Sequence, residues 1–282
     1  MNADLLRTDL TPDAAMLTDQ AAIVTGGGSG IGRGIAIGMA AFGADVTIVD
    51  RDEAAAQETA ERIKDKGRDA QIVIADLMDR DAARAAVASA QRAWGRVDIL
   101  VNNVGGGRPI PLIDLTDRQV DRQIDLNFKS LVATTQASVQ AMIAGERGGS
   151  VINIASIEGL RAAPGYSVYA ACKAGMLNFT RTVALELAEH DIRVNAIAPD
   201  LVPTAFMARH IPSLVSEEGR AAQGRYIPLG RAGNLDDCAG VAVFLASAMA
   251  RFVTGTVINV DGGTWASSGW TRDTAGGWKL FD

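Results

Sequence analysis

The chain has 282 residues, of which 48% are hydrophobic and 21% are charged, and its formal net charge is −6. This balance predicts a folded globular protein and argues against nucleic acid or an anionic membrane as a partner, because both attract basic surfaces. No apolar run reaches the roughly 17 to 25 residues of a membrane helix, and the acidic N-terminus does not resemble a secretory signal, so we expect a cytoplasmic protein.

Short apolar strands alternate with helical patterns along the chain. The predicted strands cover residues 21–25, 45–50, 70–75, 97–102, 150–155, 192–198 and 256–260. The predicted helices cover residues 31–42, 53–66, 80–94, 118–144, 167–189 and 235–248. This alternation predicts an α/β fold in one domain: a doubly wound, Rossmann-like parallel sheet with helices on both faces.

The domain is expected to span residues 19–264. Residues 1–18 are polar and weakly periodic, which indicates an N-terminal arm. Residues 200–231 form a long segment of mixed charge that we interpret as a substrate loop, because long loops are usually functional. Residues 265–282 form a tail that holds three of the four tryptophans. Its glycines and serines argue against a regular helix, and we expect it to pack on a neighbouring subunit or near the substrate cleft rather than to be disordered.

Cysteine and histidine are scarce in the chain. Cys172 and Cys238 both fall in predicted helices, where a small buried thiol in a reducing compartment is the simplest interpretation. The two histidines are His190 and His210, and neither belongs to a His-Glu-x-x-His or paired-cysteine motif. No metal site is therefore predicted.

A glycine-rich turn joins the first strand to the first helix. Its spacing is T-G-x-x-x-G-x-G through Gly26, Gly30 and Gly32, with Ser29 and Ile31 between the glycines. Glycines let the backbone approach a pyrophosphate closely, and a helix N-terminus offers N–H groups and a favourable dipole. The turn therefore predicts a dinucleotide site.

Asp50 ends the second predicted strand, where a carboxylate can accept hydrogen bonds from the hydroxyls of an adenosine ribose. A carboxylate at this position would repel a 2′-phosphate, which favours NAD over NADP. The neighbouring Arg51 could neutralise Asp50 or bind a phosphate, so NADP stays as the less favoured alternative.

Tyr169 and Lys173 lie four residues apart in a predicted helix, and therefore on one face. A phenol has a pKa near about 10 and needs a nearby cation to act as a base at neutral pH. Lys173 could supply that charge. Such a pair taken alone is more often two unrelated surface residues.

Further residues occur in order at matching places between the elements. They are Asp76-Leu77 after the third strand, Asn102-Asn103-Val104-Gly105 after the fourth, and Ser156 after the fifth. Together with the glycine turn, Asp50, Tyr169 and Lys173, this pattern resembles the short-chain dehydrogenase/reductase family over about residues 17–263.

The resemblance implies a role for each matching residue. Tyr169 would be the acid/base, Lys173 its pKa partner and a donor to the nicotinamide ribose, Ser156 the holder of the substrate oxygen and Asn127 part of a water-linked proton relay. The implied cofactor contacts are Asp76, Leu77, Asn103 and Gly105, followed by Pro199, Val202 and Thr204 near the nicotinamide.

Two positions depart from the family pattern. Val104 replaces a more usual alanine, and Asp200 stands where the family commonly has glycine after Pro199. Asp200 is either a tolerated loop residue or a substrate determinant. Specificity is expected from Gly106 to Pro109, Ile157 to Tyr166 and Leu201 to Tyr226, including the side chains of Arg108, Glu158, Arg161, Phe206, Met207 and Arg209.

The predicted function is an NAD(H)-dependent oxidoreductase that interconverts a secondary alcohol and a ketone. A carbonyl reductase, a 3-oxoacyl thioester reductase, a sugar dehydrogenase and a hydroxysteroid dehydrogenase all stay open. The alternative is a non-catalytic nicotinamide-binding sensor or scaffold. A serine hydrolase is disfavoured because no Gly-x-Ser-x-Gly elbow occurs. The resemblance also implies a homotetramer in which the Tyr169 helix contributes to an interface.

Overall fold

A computed structural model describes residues 10–210, 212–273 and 275–280, with only the backbone of Phe206 and His210. Its centre is a sheet of seven parallel strands in the order β3-β2-β1-β4-β5-β6-β7. The strands are β1 (Ala21–Thr25), β2 (Asp45–Asp50), β3 (Ala70–Ile74), β4 (Ile99–Asn102), β5 (Gly149–Ile154), β6 (Ile192–Pro199) and β7 (Val257–Val260). The predicted doubly wound parallel sheet is confirmed.

Helices cover both faces of the sheet and bury its apolar side chains. The helices are α1 (Gly30–Ala41), α2 (Glu53–Lys64), α3 (Arg80–Trp94), α4 (Asp117–Ile124), α5 (Ser130–Gly145), α6 (Ser167–Glu186), α7 (Ala205–His210), α8 (Glu217–Tyr226), α9 (Leu235–Ala246) and α10 (Thr264–Ser267). One core lies under α1, α2 and α9, and a second lies under α3 and α5 on the other face. Across the described residues, no helix combines the length and apolarity needed to cross a membrane.

The predicted helix over residues 118–144 is interrupted. A π-helical segment, Asp125–Lys129, separates α4 from α5. Such a segment fits an extra residue into the helix and changes the direction of its side chains, and π-segments are frequent at functional sites. The helix predicted to reach residue 189 ends at Glu186, and a short 3-10 helix, Ala188–His190, follows it.

The N-terminal arm is attached to the core in its described part. Leu17 is fully buried, and its N–H donates to the Phe42 carbonyl at 2.7 Å. Residues 1–9 of the predicted arm lie outside the described residues.

The tail after β7 contains the single turn α10 and then a hairpin, in which β8 (Thr271–Arg272) pairs antiparallel with β9 (Trp278–Lys279). The Arg272 guanidinium lies 4.9 Å from the Trp278 ring centroid and donates to the Pro228 carbonyl at 2.7 Å. The tail therefore packs on the chain segment that follows α8. Of the predicted tail, residues 274, 281 and 282 lie outside the described residues.

Candidate active site

The glycine turn has the backbone shape that its sequence predicts. Gly26 and Gly30 have φ of +63° and +53°, in the left-handed region that favours glycine. A Cβ on Gly32 would lie 2.2 Å from the Gly26 carbonyl oxygen, so only glycine allows this contact. The N-terminus of α1 follows at once, with Ser29 exposed as its N-cap and Ile31 packed on the core. This cradle fits a dinucleotide pyrophosphate.

Thr25 and Asn103 join the turn to the end of β4. The Thr25 hydroxyl accepts hydrogen bonds from the N–H groups of Asn103 and Val104 at 2.9 and 3.2 Å. The Asn103 side-chain amide donates to the carbonyls of Thr25 and Gly26 at 3.0 and 3.3 Å. Asn103 therefore holds the glycine turn against the end of β4 through its side-chain N–H groups.

Arg33 is a supporting residue that the sequence reasoning missed. Its Nε donates to the Gly28 carbonyl at 2.9 Å, and its Nη1 lies 2.8 Å from a carboxylate oxygen of Glu58. The hydrogen bond and charge of Arg33 lower the pKa of Glu58. The sequence feature that could have identified Arg33 is its position as a cation directly after Gly32, the last glycine of the motif.

Asp50 lies beside the glycine turn at the end of β2. Its carboxylate accepts hydrogen bonds from the N–H groups of Gly28 and Asp52, at 2.8 and 3.1 Å. Arg51 is exposed. After β3, Asp76 is exposed and accepts a hydrogen bond from the Met78 N–H at 3.0 Å, while Leu77 is buried.

Lys173 is buried next to Tyr169 on α6. Its Nζ lies 5.7 Å from the Tyr169 ring centroid and donates to the Ile154 carbonyl at the end of β5, at 2.7 Å. Only 3% of Lys173 is exposed, and this burial lowers its pKa from 10.5 to about 8. A lysine with that pKa is only partly charged above pH 8.

Ser156 and Tyr169 face each other across the site. Burial raises the pKa of Tyr169 above its ordinary value of 10, the neighbouring Ser156 hydroxyl opposes that rise, and the Glu158 carboxylate adds to it. The sequence-based expectation was a phenol whose pKa Lys173 lowers. Burial has the largest effect on the pKa of Tyr169. It also lowers the pKa of Lys173, so that a smaller fraction of the lysine is protonated.

Asn127 sits in the π-helical segment and is fully buried. Its Oδ1 accepts a hydrogen bond from the Gly106 N–H at 2.8 Å, and its Nδ2 donates to the Gly106 carbonyl at 3.0 Å. A Cβ on Gly105 would lie 2.8 Å from the Asn127 Oδ1 and 3.1 Å from the Lys173 Nζ. Gly105 therefore leaves space between the amide and the amine.

A buried hydrogen-bond ladder lies beneath this site. Asn102 donates to Asn153 Oδ1 at 2.9 Å and accepts from the Thr134 hydroxyl at 2.5 Å. Asn153 in turn donates to the Thr180 hydroxyl at 2.9 Å. The ladder joins β4 and β5 to α5 and α6, and so connects the elements that carry Asn127, Ser156 and Lys173.

The segment after β6 closes over the glycine turn. A Cβ on Gly30 would lie 3.1 Å from the Thr204 methyl carbon, and Val202 is 2% exposed. Asp200, directly after Pro199, has no positive φ, so the glycine of the family pattern is not required for the backbone here. The Asp200 carboxylate accepts hydrogen bonds from Arg161 at 3.0 Å and from the Thr264 hydroxyl at 2.5 Å.

The structure thus gathers Asn127, Ser156, Tyr169 and Lys173 at the carboxyl ends of β4 and β5. The glycine turn and Asp50 lie at the same edge, at the ends of β1 and β2, and the segment that holds Thr204 covers the turn. Arg51, after β2, and Asp76, after β3, are exposed at this edge. A base, a substrate-oxygen partner and a dinucleotide cradle together can support hydride transfer to or from a nicotinamide.

Comparisons with known proteins agree with this arrangement. A family model described as Enoyl-(Acyl carrier protein) reductase matches residues 26–264. The galactitol 2-dehydrogenase of Agrobacterium fabrum is 37% identical over 258 residues, covering 89% of this chain and 99% of the relative.

Among solved structures, one assigned provisionally as a short-chain alcohol dehydrogenase of Sinorhizobium meliloti superposes with a TM-score of 0.85, 35% identity and coverage of 90% of this chain and 99% of that one. A 7α-hydroxysteroid dehydrogenase complexed with NADH and 7-oxo glycochenodeoxycholic acid superposes with a TM-score of 0.84 and 33% identity. The match covers 90% of this chain and 97% of that one. A third structure, with bound NADP, is assigned provisionally as a 2-deoxy-D-gluconate 3-dehydrogenase of Agrobacterium tumefaciens. It superposes with a TM-score of 0.82 and 36% identity, and the match covers 90% of this chain and 99% of that one.

Proposed function

The chain belongs to the short-chain dehydrogenase/reductase family, and on that basis we propose that it uses NAD(H) and Tyr169 to interconvert a secondary alcohol and a ketone. Oxidoreduction between an alcohol and a ketone follows from its relatives, which include polyol and hydroxysteroid dehydrogenases. The residue roles and the cofactor preference are the proposal. The observation that carries it is the placement of the Ser156 hydroxyl next to the Tyr169 phenol, beside a buried lysine.

The residues divide the work of alcohol oxidation as follows. Ser156 holds the substrate oxygen, and the Tyr169 phenolate takes the hydroxyl proton. The glycine turn and Asp50 would hold the dinucleotide, whose nicotinamide would supply the hydride acceptor for the carbon that bears this hydroxyl. Lys173 stabilises the phenolate and, because an ammonium has N–H groups beyond the one given to Ile154, can also donate to the nicotinamide ribose. Asn127 and Lys173 flank the space at Gly105 through which water can pass the proton outward.

The direction of the Tyr169 pKa shift bears on this mechanism. Burial stabilises the protonated phenol, which is the form that ketone reduction needs. Alcohol oxidation needs the phenolate, so its rate should rise with pH through the pKa of Tyr169 while the rate of ketone reduction falls. The rates of alcohol oxidation and of ketone reduction can both be measured as a function of pH from the absorbance of the reduced nicotinamide.

NAD is the proposed cofactor because the Asp50 carboxylate lies beside the glycine turn, bound to the Gly28 N–H. A ribose 2′-phosphate placed here would meet a negative charge, whereas ribose hydroxyls can donate to the same oxygens. The exposed Arg51 is the residue that could reverse the preference, because a guanidinium can bind a phosphate.

A homotetramer and a cytoplasmic location complete the proposal. A subunit contact along α6 would cover Leu185, which lies near the end of this helix and is 80% exposed. The two described cysteines are free and buried, which supports a reducing compartment. Sedimentation tests the assembly, and a monomer would contradict it.

The experiment that tests the function is a panel of ketones and secondary alcohols assayed with NAD(H) and NADP(H), first on the unchanged protein and then on Tyr169→Phe. The variant should lose about 100-fold to 10,000-fold in kcat, the usual contribution of a positioned acid/base. Tyr166→Phe removes a hydroxyl from the neighbouring ring, whose centroid is 6.0 Å away, and should lose far less.

Retention of near-normal turnover by Tyr169→Phe would contradict the acid/base role. Cofactor binding by the unchanged protein without turnover on any member of the panel would favour the sensor or scaffold instead.

A further inference from the structure

Arg161 is the centre of a group of charged and polar side chains that we name the Arg161 cluster: Glu158, Arg161, Asp200, Tyr226 and Thr264. The Arg161 Nη2 donates to Glu158 at 2.9 Å and to Asp200 at 3.0 Å. Its Nη1 donates to the Tyr226 hydroxyl at 2.9 Å. One cation is therefore shared between two carboxylates.

The cluster borders the place where the substrate carbonyl must lie. The Ser156 hydroxyl accepts a hydrogen bond from the Glu158 N–H at 3.2 Å, and Asp200 follows the last residue of β6. The ends of β5 and β6 are neighbours, since the Ala155 N–H donates to the Ile197 carbonyl at 2.7 Å. The cluster thus forms a wall beside the proposed substrate-oxygen holder.

The charges of the cluster do not cancel. Glu158 and Asp200 contribute two negative charges against the single positive charge of Arg161, which leaves a net charge of −1. The side chains of Glu158, Arg161 and Asp200 are only 26%, 24% and 12% exposed, so salt and water screen them incompletely. Hydrogen bonds to both carboxylates also keep the guanidinium protonated.

The guanidinium is largely occupied. Its contacts with Glu158, Asp200 and Tyr226 use three of its five N–H groups, including both on Nη2, so a substrate carboxylate could pair only with the remaining N–H groups and would then lie beside two carboxylates. A carboxylate that stayed at the wall without an ion pair would instead meet the net negative charge.

Resting on the proposed alcohol and ketone chemistry, we propose that the Arg161 cluster makes the enzyme select uncharged substrates over substrates with a carboxylate near the reacting carbon. An uncharged hydroxyl or amide can still donate to the remaining lone pairs of the Glu158 and Asp200 carboxylates. The residue that departs from the family pattern, Asp200, is therefore a specificity-determining residue that supplies the excess negative charge.

The test compares levulinate with levulinamide, two ketones of nearly the same shape that differ by one charge. Each is titrated into the protein saturated with NAD, a complex that cannot reduce a ketone, and its Kd is measured by ligand-observed NMR. The quantity of interest is the ratio of the levulinate Kd to the levulinamide Kd. For the unchanged protein we expect a ratio well above one.

Two substitutions break the same ion pair but change the charge in opposite directions. Asp200→Asn removes a negative charge and should lower the ratio about threefold to tenfold, as expected for one charge about 10 Å away with partial screening. Arg161→Gln removes the positive charge and should raise the ratio by a similar factor. A purely structural role would move both ratios in the same direction, because both variants lose the same contact.

Arg108 and Arg209 also lie in segments expected to line the cleft, and Lys173 is buried behind it. Their charges are the same in both variants, so the change in the ratio reports the cluster. Binding of NADH to each variant checks that the cofactor site is intact.

Unchanged ratios, or ratios that move together, would overturn the proposal, as would a lack of levulinamide binding to the unchanged protein. Failure of the proposed function is a separate result: it would show as no turnover on the ketone and alcohol panel while the two ratios still move apart.

Discussion

Gly32→Ala is a sharp test of the glycine turn as a cofactor cradle. The added Cβ would lie 2.2 Å from the Gly26 carbonyl oxygen and 2.5 Å from the Asn103 Nδ2, whereas side-chain carbons essentially never come closer than 3.0 Å. The difference between 3.0 and 2.2 Å means that the carbonyl must move by about 0.8 Å. The same carbonyl accepts from Asn103, so the movement also loosens the contact between the turn and β4.

Two effects of this substitution on stability oppose each other. Crowding of this kind costs about 1–3 kcal/mol, while alanine in a helix is favoured over glycine by about 1 kcal/mol. We therefore expect Gly32→Ala to lower the free energy of unfolding by about 1 kcal/mol. The backbone N–H groups that would meet the pyrophosphate move with the turn, and a displacement of this size should weaken NADH binding by about 10-fold to 100-fold.

The assays are NADH fluorescence titration and urea unfolding monitored by circular dichroism. Gly240→Ala is the matched control, because Gly240 is exposed within α9 and a Cβ there meets no atom within 4 Å. This control should gain about 0.5–1 kcal/mol from helix propensity and keep its NADH affinity. NADH binding by Gly32→Ala with unchanged affinity would refute the cradle.

Three further predictions concern single side chains. If Asp50 repels a 2′-phosphate as proposed, Asp50→Ala should strengthen NADPH binding relative to NADH binding in a fluorescence titration, and tighter binding of NADPH than of NADH by the unchanged protein would contradict the proposed role of Asp50. Burial lowers the pKa of Lys173 to about 8, so the buried ammonium destabilises the fold below that pH and the loss is relieved as the pH rises toward 10.5. The free energy of unfolding, measured in urea, should therefore rise by up to about 3 kcal/mol between about pH 7.5 and pH 10 in the unchanged protein, and this rise should be absent in Lys173→Met. The same pH dependence in both proteins would contradict the prediction. Asn153→Ala should cost about 3 kcal/mol of unfolding free energy because it leaves a cavity and breaks the ladder between Asn102 and Thr180, and a loss under about 1 kcal/mol would show that the ladder carries little stability.

Much of the fold follows from sequence because hydrophobic patterning is local. A short apolar run such as Ala21–Thr25, which stops at a glycine cluster, predicts a strand covered on both faces, and every residue of this strand is buried in the structure. The positions of Tyr169 and Lys173 on one helical face follow from the helix period alone.

Other features could not be predicted because they depend on partners far away in the chain. The π-helical segment around Asn127 has no sequence period of its own, and it is recognisable only from the backbone hydrogen bonds of the folded chain. The partner of Asp200 is Arg161, 39 residues earlier, so a local view of Asp200 could only note a missing glycine. Similarly, the expected effect of Lys173 on Tyr169 depends on burial, which sequence spacing does not measure.

The strand order has a consequence for how the chain acquires its structure during synthesis. β1 lies between β2 and β4, and the Ala21 N–H is paired with the Asp98 carboxylate 77 residues later. Until the ribosome has released β4, β1 therefore presents an unpaired edge of backbone N–H and C=O groups. Closing so long a segment is slow compared with forming local helices, so the nascent chain passes through a stage in which self-association competes with folding.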